Sequence, residues 1–325
     1  MPTKLMLALA LSLAVAVHAV KIVATFPAYD VVLKEAFPQA EVILLAGGVA
    51  DPHEYQLTAQ DLELLRSLSP NDVVVNTMHA PFELKIAQMA EAGDIKAKVV
   101  DVTVLNTYLT WDGRETRLGG GQTEGGVNTH DHGLYPPNLL KLIDAVANAT
   151  GLKPDPQFVE KLRQLDEQYR GEFSGKAVAL TPAAQYILHW LGFKDVLVLV
   201  KEPGVPPTAE DLQKAIQYVE EGAPVVAIFV GDQNPRLVQM FTEKAKETGA
   251  SPRIVEADFS TSYLSTLEKL VESLRQATAP LQNKSSQPAA PATAGTPGGS
   301  QPVLWAVVVL AAVVAVAILI RRRKE

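Results

Sequence analysis

Short apolar runs and amphipathic stretches alternate along most of the chain. The runs at 20–26, 42–45, 73–75 and 98–102 are rich in Val, Ile and Leu, which predicts strands. Between them, 29–36, 58–68 and 83–92 predict helices, and Leu62, Leu65 and Leu68 fall on one helical face. Thr58 stands where it can cap its helix, with Asp61 in a capping-box position. Helices follow at 138–149 and 156–173, and then the pattern restarts. Strands at 177–180, 196–200, 225–230 and 253–255 alternate with helices at 183–191, 208–219, 235–248 and 262–274. Thr208-Ala209-Glu210-Asp211-Leu212 echoes Thr58-Ala59-Gln60-Asp61-Leu62, each after the second strand of its set. Strands alternating with helices imply parallel sheets with right-handed crossovers. The expectation is an α/β protein of two parallel-sheet βα lobes joined by a long helix. Residues 156–173 would supply that helix, about 27 Å long at ~1.5 Å per residue.

The two ends break the pattern. Lys4 precedes an apolar run to Val17, and Val17-His18-Ala19 offers small residues for cleavage, so 1–19 reads as a secretory signal. Residues 303–320 are eighteen consecutive uncharged, mostly apolar residues followed by Arg321-Arg322-Arg323-Lys324-Glu325. A run of this length can span a bilayer as a transmembrane helix, and its basic flank should stay cytoplasmic. Ahead of it, 278–302 is rich in Pro, Ala, Ser, Thr, Gly and Gln and reads as a stalk. The expected layout is a signal at 1–19, an N-terminal α/β lobe at 20–137, connecting helices at 138–174 and a C-terminal α/β lobe at 175–277. The stalk at 278–302, the transmembrane helix at 303–320 and a cytoplasmic tail at 321–325 complete it. The globular part would then lie outside the cell membrane.

Composition narrows the chemistry. The 325-residue chain has no cysteine, which removes disulfides, thiolate metal sites, a cysteine nucleophile and a cysteine-linked lipid. Its formal net charge is −7, with a basic tail, so the part between the ends is more acidic still. That charge does not favour nucleic acid and does not repel cations. No nucleophile elbow, HExxH or phosphate loop is present, so an enzyme is not expected.

Histidines are the remaining candidates. Gly47-Gly48-Val49-Ala50-Asp51-Pro52-His53-Glu54-Tyr55 joins a strand to a capped helix, and Pro52 stiffens the loop that carries His53. Ligands of open α/β sheets bind at this strand end. His79 follows the third strand and so lies at the same end. Residues 107–132 hold six glycines among polar residues and read as a mobile loop ending in His130-Asp131-His132. His189 lies within a helix and reads as a packing or surface residue.

Asp51-Pro52-His53-Glu54-Tyr55 with Thr58 and Asp61, and His132 with Pro137 after it, resemble motifs of the metal-binding solute-binding proteins of zinc and manganese ABC importers. Ile228-Phe229-Val230 and Gly249-Ala250 resemble the second lobe of that family. The resemblance covers most of 20–275. It implies a zinc or manganese ion held between two lobes as cargo and delivered to an ABC permease. It also implies His53 and His132 as the first two ligands, and an acidic residue after the last strand, Glu256 or Asp258, as the fourth. The third-ligand position falls on Thr181, a poor zinc ligand, which leaves His79 as the spare and His130 as a second imidazole beside His132 or a metal scavenger in the loop. Thr181 also keeps open a receptor of the same build that takes an organic solute or a protein partner instead of metal.

Overall fold

The computed structural model describes residues 19–48, 52–118, 126–202, 204–230 and 235–279. These lie in one compact unit. The signal at 1–19, the stalk, the transmembrane helix at 303–320 and the tail at 321–325 fall outside the described residues, save for Ala19, Thr278 and Ala279 at their edges. Among the described residues, no helix is long and apolar enough to cross a membrane.

The first half alternates as the apolar pattern requires. The order is β1 Lys21–Ala24, α1 Pro27–Ala36, β2 Glu41–Leu44, α2 Ala59–Ser67, β3 Val73–Asn76, α3 Pro81–Glu91 and β4 Lys98–Asp101. The sheet is parallel with strand order β2-β1-β3-β4. Val73, Val74 and Val75 are all fully buried, because helices cover both faces of the sheet. Each such side chain contributes roughly 1.5–3 kcal/mol by leaving water. Thr58 caps α2: its hydroxyl accepts from the Asp61 N–H at 3.2 Å, and the Asp61 carboxylate accepts from the Thr58 N–H at 2.7 Å.

A connecting region follows. Short strands β5 Tyr108–Thr110, β6 Glu115–Thr116 and β7 Val127–Asn128 form an antiparallel sheet in the order β6-β5-β7. The expectation of a mobile loop over 107–132 is therefore corrected for 108–116 and 127–128, while 119–125 lie outside the described residues. Buried Tyr108, Leu118 and Val127 give this small sheet its own apolar contact. Next come α4 Pro136–Thr150 and α5 Pro156–Tyr169. The second helix stops short of the expected 173 and spans 14 residues, about 21 Å. It stops because Gly171 takes φ +74° and the N–H groups of Gly171 and Phe173 bond to Trp190 and Leu191 carbonyls instead.

The second half repeats the first: β8 Lys176–Ala179, α6 Pro182–Leu191, β9 Asp195–Val198, α7 Ala209–Glu220, β10 Val225–Phe229, α8 Pro235–Glu247, β11 Ile254–Asp258 and α9 Tyr263–Thr278. The sheet order is β11-β10-β8-β9. Counted within its own half, that is again second-first-third-fourth. Thr208 caps α7 as Thr58 caps α2, accepting from the Asp211 N–H at 3.0 Å. The last strand is longer than expected and includes both Glu256 and Asp258, with burial alternating along it.

One apolar cluster joins the halves. It runs from Ile22 and Ala24 through α1, α4 and α5 to Ala177, Ala179 and α9. Separate clusters fill the outer faces, around Leu65 and Phe82 in the first half and around Tyr218 and Phe241 in the second. The two sheets therefore share a helical layer. Helices α1, α4, α5 and α9 pack on one another there, so the connection is broader than the single bridging helix expected from sequence.

Candidate metal centre

Three imidazoles converge at the carboxyl ends of the first sheet. One ligand atom from each of His53, His79 and His130 lies within 4.8 Å of the others. Ring centroids are 4.9 Å apart for His53 and His79, and 5.3 Å for each of the other two pairs. The rings meet near right angles, with interplanar angles of 84°, 76° and 86°. They surround a common point rather than stacking.

Each histidine is placed by a different device. His53 lies in a 3-10 turn, Pro52–Glu54, after β2. Its ring meets the edge of Phe26 at 5.5 Å. Tyr55 anchors the same turn by donating its hydroxyl to Asp61 at 2.7 Å and packing on Phe82. That bond explains the Tyr of the motif and why Asp61 does more than cap a helix.

His79 follows β3 in a turn organised by a buried carboxylate. Glu83, fully buried, accepts from the N–H groups of Thr77, His79 and Ala80 at 2.7, 3.0 and 3.0 Å and from the hydroxyls of Thr25 and Thr77. Met78 inside this turn takes φ +53°, a left-handed conformation that non-glycine residues adopt only under constraint. The hydrogen bonds to Glu83 supply that constraint. Burial, followed by the neighbouring His130 and His53, pushes the His79 imidazole down to about 4. It is therefore neutral at neutral pH, the form a metal ligand needs.

His130 is carried by the small antiparallel sheet. Its N–H donates to Asn128 Oδ1 at 3.0 Å. Asn128 in turn donates to the Pro182 carbonyl and to Gln185 Oε1, each at 2.9 Å, and so ties the segment to α6. His130 Nε2 lies 3.0 Å from Glu202 Oε2, on the segment leaving β9.

The structure separates His130 from His132. Asp131 between them takes φ 49°, ψ 22°, and this left-handed turn sends the two side chains apart. His132 is buried, with Nδ1 2.7 Å from Asn106 Nδ2 and 3.2 Å from the Tyr29 hydroxyl. Gly133 permits this seat: a Cβ there would stand 2.6 Å from the Tyr29 ring. Burial, then His79 and His130, pushes the His132 imidazole down to about 3. His132 is not one of the three convergent imidazoles; His130 is.

The remaining candidates also lie elsewhere. Thr181 Oγ1 donates to the Ile228 carbonyl at 2.9 Å and accepts from the Ile228 N–H at 3.1 Å, so this hydroxyl serves to join β8 to β10. Glu256 is exposed on β11, and Asp258 Oδ1 accepts from the Ser260 N–H at 2.9 Å. Both sit within the last strand instead of beyond it, and neither joins the group of three. His189, half-buried, faces Glu115 at 3.5 Å. The sequence signal for His79 was its place after β3, at the same sheet end as His53. Glu202 gave no signal, being one acidic residue in a Pro- and Gly-containing turn.

Two like parallel sheets around a shared helical layer, with a histidine cluster at the carboxyl ends of the first, define a two-lobed α/β protein with a candidate metal site. The chain belongs to the family described as ZnuA, zinc-uptake complex component A, periplasmic, whose model matches residues 22–277. It is 25% identical over 291 residues to the zinc-binding lipoprotein AdcA of Streptococcus pneumoniae, covering 79% of this chain and 55% of that protein. The chain thus spans about half the length of the curated relatives it matches. Among solved structures, the periplasmic zinc-binding protein TroA of Treponema pallidum superposes with a TM-score of 0.57 at 17% identity, over 81% of this chain and 100% of that one. FpvC of Pseudomonas aeruginosa, solved in complex with Mn2+, gives 0.55 at 18% identity, over 80% of this chain and 98% of that one. At these identities the structural matches speak to the fold.

Proposed function

We propose that the chain captures a divalent transition metal through His53, His79 and His130 and delivers it to an ABC permease as the substrate-binding component of an importer. The observation that carries this reading is the convergence of three ring nitrogens within 4.8 Å, at the strand ends where α/β sheets take ligands. The donor set fits a transition metal. Neutral imidazoles suit zinc, whereas manganese prefers carboxylate and water, so zinc is the expected cargo of the pair zinc and manganese. Three protein ligands leave a fourth position open, and an open position suits a cargo that must be released. Family membership supports the transport role, and the relatives named for zinc support the metal.

The cluster serves binding and no reaction is assigned to it. The alternative left open by Thr181, a receptor for an organic solute or protein partner, draws no support from a site lined by imidazoles. The relatives named lipoproteins imply attachment to a membrane for those proteins. This sequence has no cysteine to carry a lipid, so we assign the anchoring role to the apolar run at 303–320, with the stalk at 278–302 as a tether that keeps the lobes near their permease.

The test is calorimetric titration of the purified, metal-stripped protein with zinc and with manganese. One equivalent of zinc bound more tightly than manganese, and lost in His53→Ala, is the expected result. Failure of the stripped wild-type protein to bind either ion would overturn the reading.

A further inference from the structure

All three imidazoles come from the first half and the connecting sheet, yet the group touches the second half. Glu202 stands on the segment that continues β9. The Val200 N–H still pairs with the Leu180 carbonyl at 3.3 Å, and Lys201 lies 3.5 Å from Asp211 in the first turn of α7. Just beyond, the Val205 N–H closes a turn onto the Glu202 carbonyl at 3.1 Å, with Gly204 at φ +77°. Glu202 is thus held by the second sheet while its carboxylate reaches His130 Nε2. The partners differ in environment: the His130 side chain is 5% exposed and that of Glu202 is 59% exposed.

The chemistry of this contact assigns a tautomer. An ionised carboxylate only accepts hydrogen bonds, so the proton sits on His130 Nε2 and the imidazole lone pair on Nδ1. A carboxylate on the ring nitrogen opposite the ligating one is the usual partner of a metal-bound histidine; it fixes the ring's orientation and raises its donor strength. We propose that Glu202 is a positioning residue of the metal site, which holds His130 in the Nε2–H form for ligation through Nδ1. Because it does so from the second half, it makes metal affinity depend on the two halves staying together. The proposal rests on the reading of the three imidazoles as the metal site.

The experiment uses Glu202→Ala and Glu202→Gln in the purified protein, with zinc affinity measured by competition against a chromogenic chelator. The expected loss for Glu202→Ala is about 10–100-fold. Glu202→Gln keeps an acceptor and recovers part of that loss. Thermal midpoints of the metal-free variants stay close to the wild-type value, because the Glu202 carboxylate is itself largely exposed and its removal costs little stability. Long-range proton–nitrogen NMR spectra of the metal-free protein show His130 as the Nε2–H tautomer, and that preference weakens in Glu202→Ala. Equal zinc affinity in wild type and Glu202→Ala, or an Nδ1–H tautomer in wild type, overturns the proposal alone. Absence of zinc binding in wild type overturns the reading of the site, and the proposal with it.

Discussion

The two parallel sheets share a strand order, a threonine-capped helix after the second strand, and a threonine at the point where the strand order reverses. In the first sheet Thr25 Oγ1 donates to the Val75 carbonyl at 3.0 Å; in the second, Thr181 Oγ1 donates to the Ile228 carbonyl at 2.9 Å. At the carboxyl end of the first sheet stand His53, in the turn Pro52–Glu54 that follows β2, and His79, three residues past β3. Around Thr181, no group of three metal-ligating side chains forms among the described residues. The same scaffold therefore carries the candidate metal site at one sheet and a structural joint at the other. Function lies in the residues grafted onto strand ends, not in the fold that presents them.

The comparison breaks most sharply at the histidines. His79→Ala or His130→Ala should weaken zinc binding by more than about 100-fold, since each removes a first ligand. Glu256→Gln with Asp258→Asn, on the second sheet, should leave it within about twofold; the chelator competition assay reads both. Loss of binding in the second pair alone would move the site to the other sheet.

Glu83→Ala comes next. It strips a buried carboxylate from three N–H donors, and the expected loss of stability is roughly 3 kcal/mol or more in urea unfolding. Metal affinity should fall too, because the turn carrying His79 loses its anchor. The second sheet has no such carboxylate among the residues around Thr181 whose hydrogen bonds are described, so the contrast is between an organised ligand loop and a plain joint.

Thr181→Val should cost about 1 kcal/mol and leave zinc affinity unchanged. An affinity loss without a stability loss would show that Thr181 acts at the metal. The smallest effects belong to the helix caps: Thr58→Ala and Thr208→Ala should each cost about 1 kcal/mol or less by the same unfolding measurement. Thr58→Ala should cost more, because Asp61 there returns a bond to the Thr58 N–H and also holds Tyr55.

The repeated architecture was legible because buried parallel strands need apolar runs and capped helices need threonine and aspartate at fixed spacing. The antiparallel sheet was not, because strands of two or three residues such as Glu115–Thr116 and Val127–Asn128 carry too little period to read among glycines. The last strand was underestimated although Val255 and Ala257 alternate with Glu256 and Asp258, the signature of a half-buried strand. His53 was legible from Pro52 and its place at a strand end. The choice between His130 and His132 turned on the conformation of Asp131, a left-handed turn that aspartate tolerates without announcing it. Glu202 depends on a contact 72 residues distant in sequence, which no local pattern encodes.

The most direct measurement is anomalous diffraction at the zinc edge from crystals of the zinc-loaded protein. The account predicts one peak with a ring nitrogen of each of His53, His79 and His130 at about 2.0–2.1 Å. A peak at bonding distance from His132, with His79 outside that distance, would contradict it.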